Sequence, residues 1–450
     1  MKKIRNSRNP ILSLEVHIPD SEAHVMPDGK LYIYGSYDGY EDAYCSEEYH
    51  VVSTEDMENW TVYDEALNGK DIPWFDNDEA PKYPGFNQSE PTAFMQRMKE
   101  ETPEDDINFV LENADEKKPL LFAPDCISKD GKYYMYFCMA DDSEGVAVSD
   151  SPQGPFKNPV QLPCGGIDPA VFVDDDGQAY YYWGQFRSHG VKLNSDMTSF
   201  DADKVVDNLL TEEEHFFHEG SSVRKIGDTY YCVYADMERG RPTTLGYATS
   251  SSPLGPFQYR GIIIDNCECD PSSWNNHGSI EYVNGQWYVF YHRSSRNSKI
   301  FRRLCIEPIT IRPDGTIEEV VMTSQGPGKP FGLGECIMGY QACGLKGKLY
   351  IDVEHHGKYK GKEKLTNISE SDEAVFRYVE SENGFGQIAV EATGTGKIEI
   401  YLTDKLAGTI EIKDGKQISS NIWMKAGMYE LMLKFSEADE MEVYSITLNS

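Results

Sequence analysis

The chain has few basic residues and none of the long apolar stretches of a membrane protein. It holds 42 Lys and Arg against 75 Asp and Glu among 450 residues, a formal charge of −33. This argues against nucleic acid and anionic membranes as partners, because phosphate-binding surfaces need clustered Lys and Arg. No segment is long and apolar enough to span a bilayer. Ten cysteines occur without a C-x-x-C pair, so we expect reduced, mostly buried thiols rather than a metal knuckle.

The N-terminus also lacks the apolar run that follows the basic residues of a secretory signal, and we expect a cytoplasmic protein. What the chain has instead is aromatic content. Its 29 Tyr, 19 Phe and 6 Trp bring the aromatic share to 12%. That is more than a solvated acidic tail carries, and it indicates a folded protein with a large core.

One sequence unit recurs along the chain and predicts the architecture. A turn of Asp or Asn with Gly leads into an aromatic-rich strand, as in D-G-K-L-Y-I-Y. The five turns begin at Asp28, Asp130, Asp176, Gly227 and Asn284. From the second turn onward they lie about 50 residues apart, close to the length of a four-stranded propeller blade. We therefore predict an all-β fold with a five-bladed β-propeller over residues 1–325, interrupted by a Pro-rich, acidic insertion at about residues 73–118.

A second domain is predicted after a Gly- and Pro-rich boundary at residues 323–335. Residues 336–450 alternate short strands, such as K-I-E-I-Y-L and G-T-I-E-I, with polar turns. This texture is typical of a β-sandwich.

The repeat also selects candidate functional acids from the 75 carboxylates. Counting eight residues back from a turn reaches Asp20, Asp168 and Glu219, in three different blades. Taken singly, each acid fits a turn cap or a solvated strand end. Because each blade begins with its innermost strand, a shared register predicts that the three converge at one funnel. Carboxyl groups crowded at a desolvated site have different pKa values, so that one serves as acid and another as base. Cleavage of a glycosidic bond requires such a pair.

The same stretches carry a family resemblance. Over about residues 9–325 the chain resembles glycoside hydrolase family 43, in I-P-D-S-E-A-H-V-M-P-D-G-K, F-A-P-D-C-I-S-K-D-G-K, G-G-I-D-P-A-V-F-V-D-D-D-G-Q, F-H-E-G-S-S-V-R-K-I-G-D and N-N-H-G-S-I-E-Y-V-N-G-Q. The resemblance implies a five-bladed propeller and inverting hydrolysis of terminal α-L-arabinofuranosyl or β-D-xylosyl units from hemicellulose-derived oligosaccharides. The chain departs from the commoner family pattern at P-D-S-E and at Phe122, where many members have Trp.

The resemblance also implies a role for each acid. Asp20 matches the general base that activates water, and Glu219 matches the general acid that protonates the leaving oxygen. Asp168 matches the third acid, which raises the pKa of the general acid and orients it. Base and acid of an inverting enzyme stand roughly 6.5 to 9.5 Å apart, so that a water molecule fits beside the anomeric carbon.

Five further residues are candidates for binding. Arg293 resembles the family arginine of the innermost sugar pocket. Phe122 and Trp183 either stack on a sugar face or fill the space between blades, and Asp125 either contacts a sugar hydroxyl or ends a strand. His277 is either a hydrogen-bonded core residue or, as the resemblance implies, approaches a structural calcium or sodium ion in the central channel. We expect no cofactor that the chemistry requires.

Two alternatives stay open in the sequence. The main alternative function is a non-catalytic propeller that binds glycans or scaffolds a protein, although that gives no reason for three acids to share a register. The C-terminal domain resembles family 6 carbohydrate-binding modules, and it either binds sugar or buttresses the propeller. The repeated S-x-D-x-G-x-x-W boxes of sialidases and the N-D-P-N-G opening of fructan hydrolases are absent.

Overall fold

The computed structural model describes residues 1–83, 118–356, 360–413, 415 and 418–449. Most of the insertion predicted at residues 73–118 lies outside these described residues. Within them the chain is nearly all β and forms five small sheets and one larger sheet, which confirms the predicted fold class. No described helix is long and apolar enough to cross a bilayer.

Each small sheet is one blade of a propeller, built of antiparallel strands. Blade I contains β1 (Lys2–Arg5), β2 (Glu22–Val25), β3 (Leu31–Tyr34), β4 (Glu48–Thr54) and β5 (Asn59–Asn68). Blade II contains β6 (Asp125–Lys129), β7 (Lys132–Cys138), β8 (Ser143–Ser149) and β9 (Lys157–Gly165). Blade III contains β10 (Ala170–Val173), β11 (Ala179–Trp183) and β12 (His189–Lys192). Blade IV contains β13 (Phe217–Ile226), β14 (Thr229–Asp236), β15 (Thr244–Ser250) and β16 (Gln258–Asp265), and blade V contains β17 (Ser279–Val283), β18 (Gln286–Ser295) and β19 (Ser298–Ile309).

In every blade the predicted turn joins the innermost strand to the strand that follows it in the chain. At the Asp130–Gly131 and Asn284–Gly285 turns both residues have positive φ, between 50° and 93°. Asp, Asn and Gly tolerate this conformation, and its twist matches that of the flanking strands. Local turn chemistry therefore builds a hairpin onto the innermost strand of each blade.

The five innermost strands, β2, β6, β10, β13 and β17, form a closed ring. Each contacts the next, and β17 contacts β2. One cluster of buried apolar side chains fills each of the five gaps between adjacent blades, so the propeller has five separate core clusters. The N-terminal segment connects to blade V and so helps to close the ring. Asn9 donates to the carbonyls of Ile306 and Thr323 at 3.0 Å, and the Ile11 amide donates to the Leu304 carbonyl.

A nine-stranded sheet follows the propeller. Its strands are β20 (Cys336–Met338), β21 (Gly344–Lys346), β22 (Tyr350–His355), β23 (Lys360–Thr366), β24 (Glu373–Ser381), β25 (Phe385–Leu402), β26 (Lys405–Ile412), β27 (Ile418–Met424) and β28 (Gly427–Asn449). The long strands β25 and β28 pair along most of their length with several register shifts, and both halves of the sheet enclose one hydrophobic cluster. The boundary predicted at residues 323–335 falls between β19 and β20.

Helices are few and short among the described residues. One α-helix, α1 (Glu212–His215), precedes β13, and 3₁₀ turns occur at Gly69–Asp71, Ala202–Lys204 and Gly339–Gln341. All ten cysteines are unpaired, and eight of them are buried. The buried cysteines are free thiols within the protein interior, and Cys267 and Cys336 are exposed.

Candidate active site

Three carboxylates lie at equivalent places on the propeller. Asp20 comes two residues before β2 and Asp168 two residues before β10, and both have φ of 55°. Glu219 lies near the start of β13. Their exposed fractions are 4%, 6% and 7%. Equivalent positions at the start of inner strands thus place three buried acids at one end of the central channel.

His277, which precedes β17, joins these acids into one cluster. Its Nδ1 is 3.8 Å from Asp20 Oδ1 and 3.6 Å from Asp168 Oδ2. Its ring packs on the backbone beside Glu219, because a Cβ added to Gly220 would stand 2.8 Å from His277 Cδ2. The structure therefore brings together four of the residues singled out from the sequence.

Asp20 is held as an anion by basic and hydroxyl groups. Arg302 Nη1 donates to both carboxylate oxygens, at 2.8 and 3.0 Å, and Ser36 Oγ donates to Oδ2 at 2.6 Å. His292 Nδ1 lies 3.4 Å from Oδ1. Burial by itself raises the pKa of Asp20, but the Arg302 charge and the His292 contact outweigh it, so the pKa lies well below its usual range. Asp20 is therefore ionised at neutral pH.

Asp168 has the opposite electrostatic environment. Burial raises its pKa well above the usual value, and the neighbouring charges of Glu219 and Asp20 raise it further. The pKa values of two neighbouring carboxyl groups are thus shifted in opposite directions. This is the usual arrangement when one carboxylate acts as a base and another stays protonated.

Both oxygens of Glu219 are oriented by side-chain amides. Gln185 Nε2 donates to Oε2, and Asn275 Nδ2 donates to Oε1 at 3.3 Å. His218 Nε2 lies 3.5 Å from Oε2. Asn275 also contacts His292 Nε2, through its carbonyl at 3.0 Å, and so links the surroundings of Glu219 to those of Asp20. The sequence analysis missed Gln185 and Asn275, which lie in loops with no repeat position to mark them.

Arg293 does not take the place expected of it. Its guanidinium donates to the Tyr291 hydroxyl at 2.6 Å, to Glu307 at 3.2 Å and to the Thr323 carbonyl at 2.7 Å, in a buried network within blade V. Successive strand residues point to opposite faces, and the preceding residue on β18, His292, is the one that reaches Asp20. The arginine at the acids is Arg302, on β19.

For Trp183 the structure favours the second of its two predicted roles, packing between blades. It is 5% exposed and stacks with Tyr181 and Phe200, at 5.3 and 5.8 Å between ring centroids, in the cluster between blades II and III. With so little surface exposed, the ring packs between blades and offers no platform to a sugar. Phe122 is half-buried, and its carbonyl accepts a hydrogen bond from Tyr49. Its role in binding stays a prediction.

Asp125 begins β6 and is occupied by protein donors, which argues against a sugar contact. Its Oδ1 is 2.8 Å from His24 Nε2, and its Oδ2 accepts from the Val171 amide at 2.7 Å. Among the described residues, Glu22, His24 and Asp125 form a group whose ligand-type atoms lie within 4.8 Å of one another. Arg224 Nη2 already neutralises Glu22 at 2.8 Å. These contacts indicate a structural network lining the channel, and His277 is not part of it.

Comparison with known proteins agrees with this geometry. The profile of the glycosyl hydrolases family 43 matches residues 99–317. A xylosidase/arabinosidase of Bacteroides ovatus is 30% identical over 61% of this chain and 86% of its own length. The chain belongs to glycoside hydrolase family 43. A xylosidase/arabinosidase of Thermoclostridium stercorarium is 27% identical over 98% of both chains, so the likeness extends beyond the propeller.

Solved structures of family 43 share the fold. A β-xylosidase/α-arabinofuranosidase from a compost microbial metagenome, in a calcium-free complex with xylotriose, is 30% identical with a TM-score of 0.54, covering 71% of this chain and 99% of its own. A Bacillus subtilis arabinoxylan arabinofuranohydrolase bound to cellotetraose covers 99% of this chain and 98% of its own at 22% identity and a TM-score of 0.51. The first likeness spans the propeller, and the second extends the fold to both domains. The protein is a glycoside hydrolase.

Proposed function

We propose that this family 43 enzyme removes single α-L-arabinofuranosyl or β-D-xylosyl units from the ends of hemicellulose-derived oligosaccharides, with inversion at the anomeric carbon. The observation that carries the proposal is the cluster of Asp20, Asp168 and Glu219 around His277, in which the pKa of Asp20 is displaced downward and that of Asp168 upward. The names of the relatives support the choice of sugars.

Each acid has a distinct role in the proposed reaction. Asp20, ionised beside Arg302, accepts a proton from the water molecule that attacks the anomeric carbon. Glu219, held by Gln185 and Asn275, gives its proton to the glycosidic oxygen as the bond breaks. Asp168, the third acid of the cluster, keeps a proton to higher pH than an ordinary aspartate because burial and the neighbouring charges of Glu219 and Asp20 raise its pKa.

The surroundings of His277 fit a hard cation with a largely aqueous shell. His277 Nδ1 lies 3.8 Å from Asp20 Oδ1 and 3.6 Å from Asp168 Oδ2, so an ion held by His277 would have carboxylate oxygens nearby, and water would supply most of the ligands that calcium prefers. We include a calcium or sodium ion held by His277 in the proposal. Such an ion would add positive charge near the acids.

The test compares two variants on two kinds of leaving group. Asp20→Asn removes the base, so hydrolysis of both xylobiose and a dinitrophenyl xyloside is expected to fall by about 10³-fold or more. Glu219→Gln removes the acid, so xylobiose hydrolysis is expected to fall by a similar factor. The dinitrophenyl substrate, whose leaving group needs no proton, loses much less. The corresponding arabinofuranosides show which sugar is preferred, and proton NMR of the first-formed sugar reports the inverted anomer.

Glu55→Gln is the matched control, because Glu55 is an exposed carboxylate on the turn between β4 and β5. It should hydrolyse every substrate at the wild-type rate. Equal rates for wild type, Asp20→Asn and Glu219→Gln would refute the catalytic assignment and favour a glycan-binding propeller instead.

A further inference from the structure

The two strands of blade V that carry the partners of Asp20 form a single hairpin. His292 lies on β18 and Arg302 on β19, and both contact the Asp20 carboxylate. Arg302 also binds Asp38 through Nε and Nη2, at 3.0 and 2.9 Å, so it fixes a second loop of the site. The position of the proposed base therefore depends on where the β18–β19 hairpin sits.

The tip of this hairpin rests on the C-terminal domain. The Arg296 amide donates to the Ile351 carbonyl of β22 at 2.7 Å, and Arg296 Nε lies 3.7 Å from Asp352 Oδ1. The same guanidinium pairs with Glu41 at 2.9 Å, in the loop of blade I between Asp38 and β4. The tip is thus a junction between the C-terminal domain and the rim of the active site.

A second contact lies next to Arg302 itself. Arg303 directs Nη1 to Glu363 Oε1 of β23 at 2.5 Å, and both side chains are buried, with 3% and 9% exposed. Because adjacent strand residues face opposite sides, β19 presents Arg302 to Asp20 and Arg303 to the C-terminal domain. A movement of β19 at Arg303 would be transmitted directly to Arg302.

Burial makes this ion pair a strong restraint. Removing one member of a buried pair leaves a charge without a partner, and the chain must move to hydrate it. At an active site, a displacement of about 1 Å costs on the order of 100-fold in rate. Glu363 is therefore placed where a change in the second domain reaches the chemistry in the first.

From these contacts we infer that the C-terminal domain is a positioning element of the active site: Glu363, with Ile351 and Asp352, holds the β18–β19 hairpin where Arg302 orients Asp20. The inference rests on the proposed role of Asp20 as the base. It assigns the domain a part in catalysis on every substrate, including small ones that could not reach a separate sugar-binding site.

The test replaces Glu363 by Gln in the full chain and follows hydrolysis of nitrophenyl xyloside and arabinofuranoside. We expect kcat to fall about tenfold or more with KM little changed, and the acidic limb of the kcat/KM profile to move to higher pH as Arg302 loosens from Asp20. Glu391→Gln, which removes an exposed pair with Lys362 on the same domain, is the control and should keep wild-type kcat. Circular dichroism at the assay temperature checks that each variant is folded.

A pair of apolar substitutions keeps the test decisive if Glu363→Gln proves unstable. The double variant Arg303→Met/Glu363→Leu removes both buried charges and keeps the volume, so it should recover much of the kcat that either single change loses. A wild-type kcat and pH profile in folded Glu363→Gln and in Asp352→Asn would overturn the inference. That result, with Asp20→Asn still inactive, leaves the proposed function standing, whereas active Asp20→Asn overturns the proposed function itself.

Discussion

Replacing Glu144 by Gln should remove a large pH-dependent loss of stability. Glu144 lies on β8 with no exposed surface, where its Oε2 accepts from the Tyr181 hydroxyl and from Cys164 Sγ. Its Oε1 has no hydrogen-bond partner among the described residues, and the position of a Gly166 Cβ is 2.9 Å away. Burial raises the pKa of Glu144 to about 8 from the usual 4.5. The carboxyl group is therefore neutral in the folded protein at neutral pH.

The magnitude follows from proton linkage. The unfolded chain releases this proton near pH 4.5 and the folded protein only near pH 8, so folded-state stability is fully present below 4.5 and is lost as pH rises toward 8. At 1.36 kcal/mol for each pH unit, the loss of unfolding free energy reaches about 5 kcal/mol. Gln cannot ionise and does not incur this loss.

The assay is denaturant unfolding of wild type and Glu144→Gln across pH 5 to 8.5. The free-energy difference between the two proteins should shift in favour of Gln by several kcal/mol over this range, while any cost of fitting the amide is the same at every pH and cancels. Glu55→Gln, in an exposed turn, should show no such trend. A difference between wild type and Glu144→Gln that does not change with pH would refute the reasoning.

Three further changes test the site. Arg302→Lys keeps the charge but cannot hold Asp20 through Nη1 and Asp38 through Nε and Nη2 at once. We therefore expect kcat/KM to fall about 100-fold and its acidic limb to move to higher pH as the pKa of Asp20 rises, both measured in pH–rate profiles. Gly220→Ala should lower kcat by a similar factor because its Cβ would meet His277. The control Gly227→Ala has a similar left-handed φ but open space around it and should stay active. Chelation by EDTA should lower the melting temperature and activity, calcium should restore both, and His277→Ala should respond to neither, as calorimetry and assays would show.

The acids could be predicted from the sequence because their positions follow from local chemistry. Asx–Gly turns set where each hairpin begins, and the repeat counts back from there to the start of each innermost strand. Asp20 and Asp168 have the same φ of 55° and the same distance from their turns. The two blades therefore repeat the same backbone conformation although their neighbouring residues differ. The number of blades follows from the same count.

Arg302 could not be chosen over Arg293 in this way. Both lie in apolar strands of blade V, and only the pairing of β18 with β19 determines which arginine faces Asp20. One signal was available: adjacent arginines in F-R-R-L-C-I cannot be buried without an acidic partner on each side of the strand. Those partners proved to be Asp20 with Asp38 on one side and Glu363 on the other.

The amino-acid sequence alone determined the all-β class, the five blades and the register that selects three acids, because turns and strand periodicity act over a few neighbouring residues. Tertiary structure alone decided which arginine binds the base, that Trp183 packs between blades, and that the C-terminal domain contacts the hairpin beside the site. Those outcomes depend on how sheets that are distant in the chain pack against one another. The free energy of burying a charged side chain also depends on its partner, which only the folded structure supplies.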